Sequence, residues 1–166
     1  MEIRVLQTSD SPAFYELRLL GLQESPDAFG STHEEASQTP AEEWARRCEP
    51  TADKFILGAF DDRLVGIVGL IREQRSKSRH TAFVWGMNVA PEARGRGIGR
   101  SLIRRLIEMA RAMPGLEQVH LDVIPAAGPA RDLYVSEGFE TIALQPKALK
   151  VGEKYFDSEH MVLWLD

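Results

Sequence analysis

Several absences narrow this chain before any motif is read. It carries a single cysteine, Cys48, so neither an intramolecular disulfide nor a CxxC metal site can form. A disulfide-free chain fits a reducing, cytoplasmic setting. No apolar run approaches the roughly 20 residues that a bilayer-spanning helix needs. The amino terminus opens on Glu2 and has no basic-then-apolar signal region. Excess positive charge is missing as well: a formal charge of -5 argues against a nucleic-acid binder. There is no internal repeat, low-complexity tract or linker, so residues 1–166 read as one domain. At 43% hydrophobic and 27% charged, the chain has the composition of a globular domain able to bury a core.

Charge is unevenly placed. Between Arg72 and Arg111 ten basic residues face three acidic ones, whereas the first fifty residues are acidic. A local basic zone in an acidic protein suits an anionic small ligand better than a long polyanion.

Hydrophobic periodicity predicts a mixed order of elements. Ile3–Leu6 is a short strand. A helix follows with Pro12 in its first turn, capped by Ser9 or Asp10, with Phe14, Leu17, Leu20 and Gly21 inward and its end at Leu22. Residues 23–38 read as a loop or broken helix. Thr39-Pro40-Ala41-Glu42 reads as a capped helix start, and that helix ends near Cys48. Strands are expected at Phe55–Phe60 and Leu64–Ile71, joined by a hairpin turn, and at Thr81–Val89. A helix from Gly97 to about Met113 presents Ile98, Leu102, Leu106 and Met109. Then come a strand with Val119, Leu121 and Val123, a helix over Pro129–Glu137, and strands around Phe139–Leu144 and Tyr155–Leu165. Strands, a βαβα alternation and strands again indicate an α/β fold: a mixed sheet with helices on both faces.

The segment Met87-Asn88-Val89-Ala90-Pro91-Glu92-Ala93-Arg94-Gly95-Arg96-Gly97-Ile98-Gly99-Arg100 carries the most chemical information. It passes from a strand through a glycine- and arginine-rich turn into a helix. Free N–H groups at a helix start beside fixed positive charge make a place for phosphates. It is not a P-loop, since its glycines are spaced by single residues and no lysine follows. It is not a dinucleotide fingerprint either, because the third glycine comes one residue early.

Arg94-x-x-Gly97-x-Gly99 after Met87-x-Val89-x-Pro91 resembles the acyl-CoA motif of the GNAT superfamily of N-acetyltransferases. Leu121-x-Val123, Ala130-x-x-Leu133-Tyr134 and Gly138-Phe139 resemble that superfamily's second motif. Lys154–Leu163 resembles its terminal strand region, and Leu17-Arg18 with Pro26–Gly30 resembles one branch of its members. The resemblance covers nearly the whole chain and implies a twisted mixed sheet of about seven strands with a splayed central parallel pair. It implies acetyl-CoA as cofactor, held by Met87, Val89, Arg94, Gly95, Arg96, Gly97, Ile98, Gly99, Arg100 and Ser101, with Met87 and Val89 acting through their backbones. Arg96 also fits a solvated role, and Ser101 an ordinary first-turn serine.

The resemblance further implies direct acetyl transfer to a primary amine in a ternary complex. Tyr134 stands at the position of the family's thiol-directed general acid, also in contact with the cofactor, and backbone N–H groups near Met87 or Asn88 would polarise the thioester carbonyl. Phe29, Gly30, Trp85 and Phe156 are candidates to wall the acceptor pocket; Trp85 fits core packing equally well. The expected acceptor is a small-molecule amine, with a protein lysine or amino terminus as the alternative; a homodimer is also in keeping with the family. Two features depart from its pattern. Ala127 stands where asparagine is common, and Thr81–Val89 contains no carboxylate where many relatives place a catalytic glutamate. The base is left open among His33, Glu34, Glu35, His80 and His160. The missing carboxylate also keeps open a CoA-binding sensor without catalysis. No metal is implied.

Overall fold

Glycines in the central strands decide how closely the layers of this fold approach. In the computed structural model, which describes residues 1–165, seven strands form one sheet in the order β1-β2-β3-β4-β5-β7-β6. They are β1 (Glu2–Val5), β2 (Lys54–Asp61), β3 (Arg63–Arg72), β4 (Thr81–Val89), β5 (Gln118–Val123), β6 (Glu140–Val151) and β7 (Lys154–Trp164). Among these neighbours only β4 and β5 run parallel. The helices are α1 (Ser11–Glu24), α2 (His33–Ser37), α3 (Ala41–Cys48), α4 (Ile98–Arg111) and α5 (Ala130–Ser136).

Strand β3 is buried from Leu64 to Leu70, covered on both faces. A Cβ added at Gly66 would meet Ile98 and Leu102 of α4. One added at Gly69, on the opposite face, would run into Trp85, which packs edge-on against Phe14 of α1. The sheet is thus sandwiched at its centre between α4 and α1, the mixed layering expected from the order of elements. No described helix is long and apolar enough to cross a membrane.

Strand β4 breaks its own regularity. Ile67 pairs with Asn88 but Gly69 with Trp85, so Gly86 and Met87 together oppose Val68. Gly86 supplies the φ of +68° that this bulge requires. On its other side β4 pairs with β5 only from Thr81↔Gln118 to Phe83↔His120. Beyond Phe83 the parallel strands separate, and among the described residues the β5-facing backbone of residues 85–89 has no strand partner.

Several local expectations are corrected. Thr39 does not cap α3: its hydroxyl donates to the Glu35 carbonyl at 2.9 Å, and Pro40 occupies the cap position without a side-chain bond. The capping box lies one helix earlier, where Glu35 N–H donates to Thr32 Oγ1 (3.1 Å) and Thr32 N–H to Glu35 Oε2 (2.8 Å). Helix α1 runs on to Glu24, and its buried face takes in Arg18 rather than Leu20. The two last strands extend into a long hairpin turning at Gly152. Pro146 is tolerated because β6 is an edge strand whose register slips between Gln145 and Leu149.

Candidate active site

The cleft opened by the divergence of β4 from β5 is the centre of the site. The bulge at Gly86–Met87 and the early end of the β4–β5 ladder create it together. On one side it widens into a groove of ≈ 490 Å³ lined by Met87, Asn88, Val89, Arg94, Gly95, Gly97, Ile98, Gly99 and Arg100, with Phe29 and Leu133 opposite.

Along this groove the backbone at the head of α4 takes a left-handed course. Gly95 and Gly97 hold φ of +74° and +77°, and a Cβ on either would meet no protein atom within 4 Å. Gly97 is the N-cap of α4. The N–H groups of residues 95–100 have no backbone acceptor among the described residues; the ladder resumes at Ser101 N–H to Gly97 O, 3.0 Å. The positive end of the α4 dipole adds to their field. Arg94 also lines the groove. Its Nε donates to Val89 O at 3.0 Å, and it has no carboxylate partner among the described residues.

The other predicted contacts lie differently. Arg96 is turned to Asp61 (2.7 Å) and is not among the lining residues. Ser101 donates its hydroxyl to Gly97 O at 3.1 Å, an internal helix contact. Arg100 lines the groove but shares Glu137 with Arg104, at 3.1 and 2.8 Å. Asn88 turns its amide away from the cleft: Nδ2 donates to Leu17 O at 3.0 Å, tying β4 to α1, which leaves only its backbone for the cleft.

A smaller pocket of ≈ 100 Å³ continues from the groove, sharing Ala28, Phe29, Met87 and Ala130 with it. Trp85, Asp122 and Tyr134 line it. Tyr134 is 5% exposed, packs edge-on against Phe139 at 5.7 Å, and its hydroxyl has no hydrogen-bond partner among the described residues. Burial pushes the phenol well above its usual pKa of 10, so it keeps its proton throughout the physiological range. Phe29 is backed by the Arg18 guanidinium, 4.4 Å from the ring centroid. That guanidinium is buried and its Nη1 unpartnered, and desolvation followed by repulsion from Arg47 lowers its pKa to about 10. Gly30 is exposed and lines neither space; Phe156 sits on β7 opposite Leu149, also outside both.

Among the candidate bases, His33, Glu34 and Glu35 lie exposed on α2, and Glu35 is engaged in its capping box. His80 precedes β4 at the closed end of the parallel pair, its carbonyl accepting from Glu117 and Gln118 N–H. His160 alone approaches the site: its Nδ1 lies 2.6 Å from Asp122 Oδ1. Asp122 is a pocket residue that the sequence did not single out for this site. The signal available was His120-x-Asp122, polar positions alternating with Val119, Leu121 and Val123 on an outward strand face.

Comparison with known proteins agrees with this geometry. Solved structures share the fold. A GNAT-family acetyltransferase from Streptococcus pneumoniae has a TM-score of 0.85 at 22% identity, covering 99% of both chains. The protein yncA from Salmonella typhimurium, solved with its cofactor acetyl-CoA, has a TM-score of 0.87 at 21% identity, covering 100% of this chain and 94% of that one. Among curated proteins, the L-amino acid N-acetyltransferase AaaT of Escherichia coli is 30% identical over 109 residues, 65% of this chain and 66% of that protein. The mycothiol acetyltransferase of Beutenbergia cavernae is 30% identical over 117 residues, 70% of this chain but 39% of that protein. The L-2,4-diaminobutyric acid acetyltransferase of Shouchella clausii is 32% identical over 87 residues, and the chain spans 47% of its length. Residues 17–139 match the acetyltransferase (GNAT) family, and with the bulged, splayed parallel pair and the glycine cradle at the head of α4 this shows that the chain belongs to that family.

Proposed function

We propose that this protein transfers an acetyl group from acetyl-CoA to the primary amine of a small molecule, by direct transfer in a ternary complex. One observation carries the reading above the rest. Among the described residues the N–H groups of residues 95–100 have no backbone acceptor and Arg94 has no carboxylate partner, and the groove they line shares Ala28, Phe29, Met87 and Ala130 with the smaller pocket lined by Tyr134.

The cradle fits a pyrophosphate. Its positive-φ glycines leave room where a Cβ would stand, and the dipole, N–H donors and Arg94 supply the counter-charge. The unpartnered edge of β4 from Trp85 to Val89 would hold the amide-bearing arm of the cofactor as an added strand. When bound, acetyl-CoA supplies an activated acetyl thioester. A main-chain N–H at Met87 or Asn88 would polarise its carbonyl. Tyr134, held protonated by burial, would return a proton to the departing sulfur, help of about 10²–10⁴-fold for a general acid. Phe29 and Trp85 exclude water from the acceptor side. A small acceptor is favoured by the ≈ 100 Å³ of that pocket and by relatives named for L-amino acids and diaminobutyric acid.

Thiol release from acetyl-CoA against L-amino acids, L-2,4-diaminobutyrate, polyamines and a lysine peptide, with products identified by mass spectrometry, tests the reading. Steady release with a small amine is the expected outcome. Preference for the peptide would transfer the reading to protein acetylation, and CoA binding without turnover across the panel would leave a sensor.

A further inference from the structure

An alkylamine is an ammonium ion near neutral pH, with a pKa close to that of lysine, about 10.4. It must lose a proton before its nitrogen can attack, and β4 offers no carboxylate for this. The neighbouring strand does. Val119, Leu121 and Val123 of β5 point into the core, so Gln118, His120 and Asp122 share the opposite face. His160 of β7 stands directly across from Asp122. Extending the parallel register past Phe83↔His120 sets Asp122 across the open cleft from Trp85, and both line the smaller pocket.

Four side chains form one continuous series. Gln118 Oε1 lies 2.9 Å from His120 Nε2, His120 Nδ1 lies 3.0 Å from His160 Nε2, and His160 Nδ1 lies 2.6 Å from Asp122 Oδ1. The imidazoles stack at 5.1 Å, and the Phe83 ring covers His160 at 6.2 Å. With the Gln118 amide placed so that Oε1 faces His120, a proton lies on His120 Nε2, which leaves His120 Nδ1 to accept from His160 Nε2. His160 Nδ1 is then the free lone pair of the series. It meets a carboxylate oxygen, a contact that holds only when one further proton lies between them. Without that proton, two acceptors face each other beside the pocket, which is a seat for an ammonium ion.

We propose that His160 and Asp122 are the catalytic pair that takes the proton from the acceptor amine, with His120 and Gln118 as positioning residues that set the tautomer of His160. The proposal rests on the acetyl-transfer reading above. Asp122 binds the ammonium. One N–H bond breaks, its electron pair stays on nitrogen, and the proton bonds to His160 Nδ1. The positive charge moves from acceptor to imidazole, where Asp122 closes on it as in the observed geometry. Asp122, with 55% of its side chain exposed, then lets the proton escape to water. Burial, and then repulsion from His160, hold His120 below its usual pKa, outweighing the opposite effect of Asp122; His80 adds to the lowering. The proton therefore stops at His160. Glu140, facing the same side from β6, is engaged by the Trp164 indole, and Ala143 lies opposite His160. Glu159 faces away, paired with Arg131.

Two measurements on the full chain test this. Imidazole NMR of the cofactor-free protein should find neutral His160 as the Nε2–H tautomer. In assays with L-2,4-diaminobutyrate, kcat/KM of the native enzyme should rise with pH through one ionisation in the histidine range, because the base works unprotonated. His160→Gln should lose that ionisation and about 10²-fold or more in kcat/KM, with CoA affinity by calorimetry unchanged. A neutral His160 found as the Nδ1–H form, or an unaltered pH profile in His160→Gln, would each overturn the proposal while leaving the transferase reading intact. Native enzyme that releases no thiol with any amine would overturn both.

Discussion

Replacing Gly97 by alanine separates the stability of the cradle from its use. Gly97 sits at φ +77° and ψ 8° at the head of α4, and no protein atom lies within 4 Å of the Cβ that alanine would add. The folded protein therefore meets no clash. It meets only the left-handed backbone penalty, about 1–2 kcal/mol for a residue with a Cβ. For a domain of this size that lowers the melting midpoint by roughly 2–8 °C, at ~2–4 °C per kcal/mol. The empty space is where a phosphate would approach the N–H groups, so the methyl group should cost at least one charged hydrogen bond. That is worth about 1.5–3 kcal/mol, or roughly 10- to 100-fold in CoA affinity. Gly99→Ala is the matched control. Its Cβ would make ordinary contacts with Leu133 (3.4 Å) and Val89 (3.9 Å), inside a helix where alanine is favoured by up to about 1 kcal/mol. It should hold or raise the melting midpoint and weaken CoA binding less than Gly97→Ala does, because its Cβ packs against Leu133 and Val89 and not into the open space. Calorimetric titration with CoA reads the affinity and a thermal scan the stability. Gly97→Ala binding CoA as tightly as the native protein would refute the phosphate assignment of this turn.

Three further outcomes follow from the same structure. Tyr134→Phe removes a hydroxyl that has no partner among the described residues, so stability should change by less than ~0.5 kcal/mol, while turnover falls about 10²–10⁴-fold with unchanged CoA affinity; unaltered turnover would remove Tyr134 from proton transfer. Gly21→Ala would place a Cβ 2.4 Å from Asn88 Nδ2, in a buried side chain already bonded to Leu17 O. Overpacking plus the lost bond should destabilise by about 2–4 kcal/mol in urea unfolding, and Asn88→Ala in the same chain should restore part of it; full additivity would deny that the two residues share one joint. Arg18→Met removes a buried cation that has no carboxylate partner among the described residues, so the melting midpoint should hold or rise, in keeping with the cost of about several kcal/mol for an uncompensated buried ion; a clear fall would mean that the guanidinium's contact with Phe29 outweighs its desolvation.

Local pattern made much of the frame legible. The apolar run in Thr81–Val89 identified β4 to the residue, and apolar spacing from Ile98 onward identified α4 and most of its inward face. Glycine spacing marked the turn between them as a candidate anion cradle, and the structure gives Gly95 and Gly97 positive φ there. Less legible were features whose partners lie far off in the chain. Asp122 and His160 are 38 positions apart and meet only because β7 pairs antiparallel with β5 in one register. Arg18 occupies a position in α1 that composition alone would expose to solvent. Arg96 and Arg100 carry the same charge in the same turn, yet Asp61 draws off one while the other keeps its place in the groove. The 3₁₀ turn at Pro91–Ala93 and the extension of β6 over residues 145–151 were hidden for a related reason: their polar residues show no periodicity, and neighbouring backbone decides their shape.

By itself, the sequence determined the elements, the conformational freedom of the turn at Gly95–Gly97 and the family resemblance, because these depend on residues within a few positions of one another. Tertiary structure decided where the parallel strands part, which side chains face the opening and which charges are already neutralised. Those outcomes depend on the bulge at Gly86, on strand register and on helix packing across the sheet, and no short stretch of residues contains them.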